Sequence, residues 1–237
     1  MTATPSPLRL PSPHRQLIEA EPWARTSPSP PAAPIAAEGK PKGGLVVIQE
    51  IYGVTAHIRR VVDHFAALGY TAIAPAFFDH LESGVELAYD QVGTNKGRNL
   101  VNELGLERAV EDVASAAEAI SSAGKIGTVG YCWGGTVALL AALRLGLPSV
   151  SYYGARNLPF LHEVPRAPVM FHFGEKDQNI TPEMVEKHRV ALPQMELFTY
   201  PADHAFNRDG SKAYHEASAK LALQRTLAFF DKHLANA

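Results

Sequence analysis

The sequence predicts an α/β domain, a mainly parallel sheet covered by helices on both faces. Three observations carry that expectation. Short continuous apolar runs such as Leu45-Val46-Val47-Ile48 recur along the chain, as strands buried on both faces require. Stretches with apolar residues at helical spacing lie between them. The chain has 237 residues, enough for one such domain with a substantial core.

The regular pattern begins only after residue 40. Nine of the 18 prolines fall in the first 40 residues, mixed with Ser and Ala. Proline fixes φ and removes a backbone donor, so Ser27 to Pro34 cannot be an internal strand or helix. Residues 1–40 are expected to form a flexible arm, and 41–237 the domain. The arm lacks the apolar centre of a secretory signal. Arg9, Arg15 and Arg25 faintly suggest a transit peptide, but Glu19 and Glu21 oppose that reading.

From Leu45 the first strand runs to Ile48. Ile58, Val61, Val62, Phe65 and Leu68 mark a helix, closed by Gly69 where a helix C-terminus favours glycine. A second strand covers Thr71 to Ala74 and stops at Pro75. Asp79 to Asn102 is long, contains Gly84, Gly93 and Gly97, and yields no firm element; it is a candidate cap over the site. Leu106, Ala109, Val110, Val113, Ala117 and Ile120 mark the next helix, ended by Gly124. Ile126 to Tyr131 is a third strand, and Val137, Leu140 and Leu143 lie on one face of the helix that follows. Val150–Tyr153, Val169–Phe173 and Glu196–Tyr200 read as three further strands. Between the last two, a helix from about Pro182 to Leu192 has Thr181 as its N-cap and proline at its first position. A final helix is expected from about Ser211, its face marked by Leu223, Leu227, Phe230 and Leu234.

Composition excludes several function classes. A formal charge of -2 gives no basic footprint for nucleic acid, and no apolar run reaches the roughly 18 residues of a membrane helix. A single cysteine cannot form an internal disulfide, so nothing implies an oxidising compartment. The expectation is a cytoplasmic monomer acting on a small molecule. The ten histidines show no HExxH spacing, so no metal or other cofactor is expected, and His57 and His64 should face solvent or core.

In a parallel sheet, ligands sit beyond the carboxyl ends of the strands. The third strand runs straight into Gly130-Tyr131-Cys132-Trp133-Gly134-Gly135. This is a nucleophile elbow with cysteine in the serine position, and its strand–turn–helix context predicts an α/β-hydrolase fold. The turn aims a helix N-terminus at Cys132, which favours a thiolate. A lone cysteine is more often a small buried hydrophobe, so the partners matter. After the fifth strand comes Gly174-Glu175-Lys176-Asp177, and after the sixth Asp203-His204-Ala205-Phe206. Nucleophile, acid, histidine is the chain order of this fold. His204 is placed to take the thiol proton while Asp177 orients its ring. Asp203 and Glu175 are rival acids; Asp177 is preferred from its place at the turn. Glu50 closes the first strand at the mouth of the same crevice, though an isolated strand-end Glu is ordinarily just solvated. Backbone N–H groups of Ile51 and Trp133 are the natural oxyanion donors.

Gln-Glu-Ile-Tyr-Gly at 49–53, Gly-Tyr-Cys-Trp-Gly-Gly at 130–135, Gly-Glu-Lys-Asp at 174–177 and His-Ala-Phe-Asn-Arg at 204–208 together resemble the dienelactone hydrolases (carboxymethylenebutenolidase). The similarity spans about residue 41 to the C-terminus. The resemblance implies the same roles for Cys132, His204 and Asp177. It further implies that Glu50 contacts the resting thiol and helps deprotonate it when substrate binds, and that Arg208 pairs with a substrate carboxylate. Tyr52 stands where the family often has phenylalanine and would touch the substrate. Between Phe77 and Arg98 only Lys96 and Arg98 offer a second cation, neither in a persuasive context. The Pro-rich arm replaces the family's initial strands.

The function expected is hydrolysis of an ester or lactone, foremost dienelactone (4-carboxymethylenebut-2-en-4-olide) to maleylacetate. A broad carboxylesterase or thioesterase on the same residues is the alternative. A binding protein on a hydrolase scaffold is a third reading, opposed by the retained elbow, acid and histidine.

Overall fold

A computed structural model describes residues 34–235. Six strands form one parallel sheet: β1 (Gly44–Ile48), β2 (Thr71–Ile73), β3 (Ile126–Tyr131), β4 (Ser149–Tyr152), β5 (Val169–Gly174) and β6 (Glu196–Tyr200). Their spatial order is β2-β1-β3-β4-β5-β6. The order reverses between β1 and β3, and the carboxyl ends of those two strands flank the resulting crevice. Glu50 leaves β1 there, and Cys132 leaves β3.

Six helices cover the sheet: α1 (Ala56–Ala67), α2 (Gln91–Leu104), α3 (Leu106–Ala119), α4 (Trp133–Leu140), α5 (Pro182–Ala191) and α6 (Glu216–Leu234). Successive strand residues point to opposite faces, so β1 divides its side chains between two cores. Leu45 and Val47 pack with Ile58, Phe65 and Phe230 of α1 and α6. Val46 and Ile48 pack with Leu100, Val113 and Val137 of α2, α3 and α4. All four β1 residues are fully buried, which explains the unbroken apolar run.

Every strand and helix expected from the sequence is present, with two differences. The 79–102 region, which yielded no firm element from the sequence, carries the helix α2 in its second half, started by Asp90 accepting the Gly93 N–H at 2.7 Å. The final helix begins at Glu216 rather than near Ser211. Residues 206–215 instead form a tight loop, closed by the His215 N–H donating to the Phe206 carbonyl at 3.0 Å. The flexibility expected of the arm concerns residues that, up to 33, lie outside the described range. At its end, Ile35 forms an antiparallel bridge with Ala72 on the edge strand β2. No described helix is long and apolar enough to cross a membrane.

Candidate active site

The elbow after β3 forces Cys132 into φ 56°, a left-handed conformation that costs a residue with a Cβ about 1–3 kcal/mol. Glycines make the turn possible. A Cβ on Gly130 would collide with the Gly134 carbonyl, and one on Gly135 would sit 2.6 Å from the Tyr152 carbonyl. Among the described residues only two other non-glycines have positive φ, Tyr153 at 41° and Ala205 at 60°. Tyr153 directly follows β4 and packs on His204, and Ala205 follows His204, so all three strained positions meet at one place.

His204 joins the loops after β5 and β6 to that elbow. Its Nδ1–H donates to Asp177 Oδ2 at 2.6 Å. Asp177 is buried, and its other oxygen accepts from the Asn179 backbone at 2.7 Å and from the Asn179 side chain at 3.2 Å. The rivals lie elsewhere: Asp203 accepts the His204 backbone N–H at 2.6 Å, and Glu175 is exposed. Burial opposes charging of the His204 ring. Beside an ionised Cys132, that charge and the hydrogen bonds to Asp177 and Cys132 outweigh it, so the ring is then pushed up to about 10.

Ile51 and Trp133 present backbone N–H groups beside Cys132. Neither has a protein acceptor among the described residues, and Trp133, at the first position of α4, has no intrahelical one by construction. The Trp133 ring is buried against Phe77 and Phe78. A Cβ on Gly97 of α2 would collide with the Ile51 carbonyl, so α2 lies directly on the loop that presents Ile51.

Glu50 does not touch the thiol as the resemblance implied. Both its oxygens accept from Arg208 Nη1, at 3.2 and 3.3 Å. A guanidinium is the stronger partner for a buried carboxylate, and this Glu50 is 1% exposed. Arg208 is not a surface charge at a helix start. Its guanidinium lies 4.0 Å from the Tyr89 ring centre and 5.7 Å from that of Tyr52. Burial opposes the guanidinium charge, but Glu50 more than offsets it and raises the Arg208 pKa. Tyr52 in turn bonds Thr94 of α2 through its hydroxyl at 2.9 Å.

Cys132, His204, Glu50, Tyr52 and Arg208 line one cavity of about 370 Å³. A larger groove of about 720 Å³ between α1 and α6 contains none of them. Its wall includes the buried His57, whose Nδ1–H bonds Asp209 at 2.6 Å, whereas His64 is exposed. Elbow, acid, histidine, unpaired amides and a carboxylate at the β1 end thus sit together in the order that the four sequence motifs require.

The model of the dienelactone hydrolase family matches residues 32–234, most of the chain. The chain belongs to that family. It is a hydrolase of ester or lactone bonds with the α/β-hydrolase fold. Carboxymethylenebutenolidase 1 of Cupriavidus pinatubonensis is 31% identical over 195 residues, covering 77% of this chain and 83% of that protein. Carboxymethylenebutenolidase of Pseudomonas putida is 31% identical over 197 residues, covering 78% and 84%. A solved structure from Klebsiella pneumoniae, provisionally named as a dienelactone hydrolase, superposes with a TM-score of 0.72 at 32% identity, covering 81% of this chain and 88% of that one.

Within this family member, sequence reasoning missed Arg156 in the cavity lining and Tyr89 and Tyr153 packed behind it, and it named Arg98 only as a cation without a persuasive context. Tyr153 packs on His204 at 5.0 Å between ring centres, and its hydroxyl is buried with no partner. Burial, with Glu50, Tyr131 and Cys132 nearby, pushes that phenol far above its usual range, so it stays a neutral donor. Tyr89 stacks on Arg208. Arg98 and Arg156 line the cavity with Cys132, whereas Lys96 is paired with Glu82 at 2.7 Å. The position of Tyr153 at a strand's carboxyl end was the one available signal. The others sit on segments without a recognisable pattern.

Proposed function

We propose that this hydrolase opens a carboxylated lactone through Cys132, His204 and Asp177, with dienelactone to maleylacetate as the reaction it fits best. The observation that carries the reading is the contact of His204 with Asp177 at 2.6 Å beside Cys132, in a cavity that also holds Glu50 and Arg208.

The Cys132 thiolate attacks the lactone carbonyl carbon, and the carbonyl electron pair moves onto oxygen. Ile51 and Trp133 N–H groups receive that oxyanion. Collapse breaks the ring C–O bond and leaves a thioester on Cys132; the enolate stays tethered in the same acyl group and takes up the proton the thiol gave up, becoming the ketone. His204 then takes a proton from water, which attacks the thioester and regenerates the thiolate. Asp177 holds the ring in the tautomer that keeps Nε2 toward the sulfur.

Glu50 and Arg208 give the resting enzyme a guard. A substrate carboxylate competes with Glu50 for the Arg208 guanidinium. Once displaced, Glu50 becomes free to accept the Cys132 proton, so the thiol is activated when the lactone is in place. This protects an accessible thiol from oxidation between turnovers.

A broader carboxylesterase or thioesterase is the second reading. What favours it is that Arg208 is already charge-matched by Glu50, so a neutral substrate leaves no unpaired group.

The test is hydrolysis of cis- and trans-dienelactone and of p-nitrophenyl acetate by wild type and Cys132→Ala. Fast Cys132-dependent loss of dienelactone supports the main reading. Activity on the simple ester alone moves it to the second. Activity surviving Cys132→Ala overturns both.

A further inference from the structure

Cys132 stands between two differently balanced sets of charge. On the β1 side are Glu50 and the Arg208 it neutralises. On the β4 side is Arg156, on the loop that follows β4. Its backbone is fixed to the elbow helix: the Arg156 N–H donates to Thr136 Oγ1 at 3.2 Å, and Thr136 donates to the fully buried Asn157 at 2.8 Å. Its guanidinium reaches toward α2, where Nη1 donates to Asn102 Oδ1 at 3.0 Å. Arg98 lies one turn earlier on α2, four residues from Asn102, and lines the same cavity.

Neither Arg98 nor Arg156 has a carboxylate partner among the described residues. The acids of the cavity are engaged elsewhere, Glu50 with Arg208 and Asp203 with the His204 backbone. Exposed arginines elsewhere on the molecule are paired, as Arg59 is with Glu86 at 2.9 Å and Arg60 with Asp209 at 2.9 Å. Two guanidiniums without a carboxylate partner among the described residues therefore line the cavity, Arg156 from the loop after β4 and Arg98 from α2. Guanidinium is a fork suited to carboxylate or phosphate.

We propose that Arg156, with Arg98, forms a second anion subsite, and that the preferred substrate is an ester or lactone with two anionic groups flanking the scissile carbonyl. This rests on the reading of Cys132 as nucleophile. Arg208 takes the group on the β1 side and Arg156 the group on the β4 side.

The experiment uses phenyl esters of adipic acid in four forms. The free acyl carboxyl and a meta-carboxyl on the leaving phenol are each present or methylated, and phenol release gives kcat/KM. In wild type, the form with both carboxylates should exceed either single-carboxylate form by about tenfold or more. Arg156→Gln should remove most of that advantage, Arg156→Lys should keep part of it, and Arg98→Gln should reduce it. Equal rates for all forms, or an advantage unmoved by both glutamine variants, overturns the subsite. If no form is hydrolysed, the catalytic reading has failed instead, and binding of the four forms to wild type and Arg156→Gln, followed by NMR, decides the subsite separately. Tighter binding of the doubly charged form that Arg156→Gln abolishes supports it; equal binding removes it.

Discussion

Glu50 and Arg208 come from opposite ends of the chain and meet at 3.2 Å inside the cavity that holds Cys132. The pair is almost wholly desolvated, with side-chain exposures of 2% and 15%. Each group therefore offsets the burial of the other's charge. A ligand that claims Arg208 necessarily changes the state of Glu50, and this coupling gives the first two expectations.

Glu50→Gln keeps the shape and one acceptor but cannot take a proton. Turnover of the carboxylated lactone should fall by about 100-fold with little change in KM, within the range of a lost general base. Steady-state kinetics decide; an unchanged kcat removes Glu50 from the mechanism.

Arg208→Ala strands a buried carboxylate. The variant should be less stable by about 3 kcal/mol, as expected when one partner of a buried pair is removed. Its kcat/KM loss on carboxylated lactones should exceed its loss on neutral esters by about tenfold. Chemical denaturation and paired kinetics measure the two effects. Equal losses on both substrates would assign Arg208 to structure alone.

With Cys132 ionised beside it, the His204 ring is pushed up to about 10 in the folded protein, against about 6.5 in an unfolded chain. A raised folded pKa contributes stability that is fully present below about 6.5 and is lost as pH climbs through about 10. The melting temperature should therefore decline between those limits, and Asp177→Asn should flatten the decline by removing one of the groups that hold the proton. The same variant should lower kcat by about 10³ to 10⁴. NMR titration of the His204 ring checks the first point directly; a ring titrating near 6.5 in wild type would refute it.

Gly97→Ala separates local preference from tertiary fit. Alanine raises intrinsic helix propensity by about 1 kcal/mol, so α2 considered by itself would gain. In the folded protein the added methyl meets the Ile51 carbonyl. The variant should melt lower and turn over at least tenfold more slowly, through displacement of the Ile51 N–H. A rise in melting temperature with unchanged kcat would show that the contact relaxes freely.

The same glycines explain why α2 was illegible in the sequence. Gly93 and Gly97 interrupt its pattern and lower its propensity, and both are there because backbone carbonyls of Ala88 and Ile51 come too close for a side chain. The late start of α6 has a similar origin. Residues after Phe206 fold into the loop that carries Arg208 to Glu50 and Asp209 to His57, a use that no periodicity records.

The sequence by itself determined the parallel sheet, because strands buried on both faces must be continuously apolar, as Leu45 to Ile48 are. It also determined the family and the placing of Cys132, Asp177 and His204 at strand ends. These are local signals: a strained turn needs its glycines, and each candidate residue follows its strand directly. Only the tertiary structure decided that Glu50 is held by Arg208 rather than by the thiol, that Tyr89 packs on Arg208 and Tyr153 on His204, and that Arg98 and Arg156 line the cavity without a carboxylate partner among the described residues. Those relationships join residues tens to more than a hundred positions apart. Whether two charges meet is a matter of distance and burial, and a sequence records neither until the chain has folded.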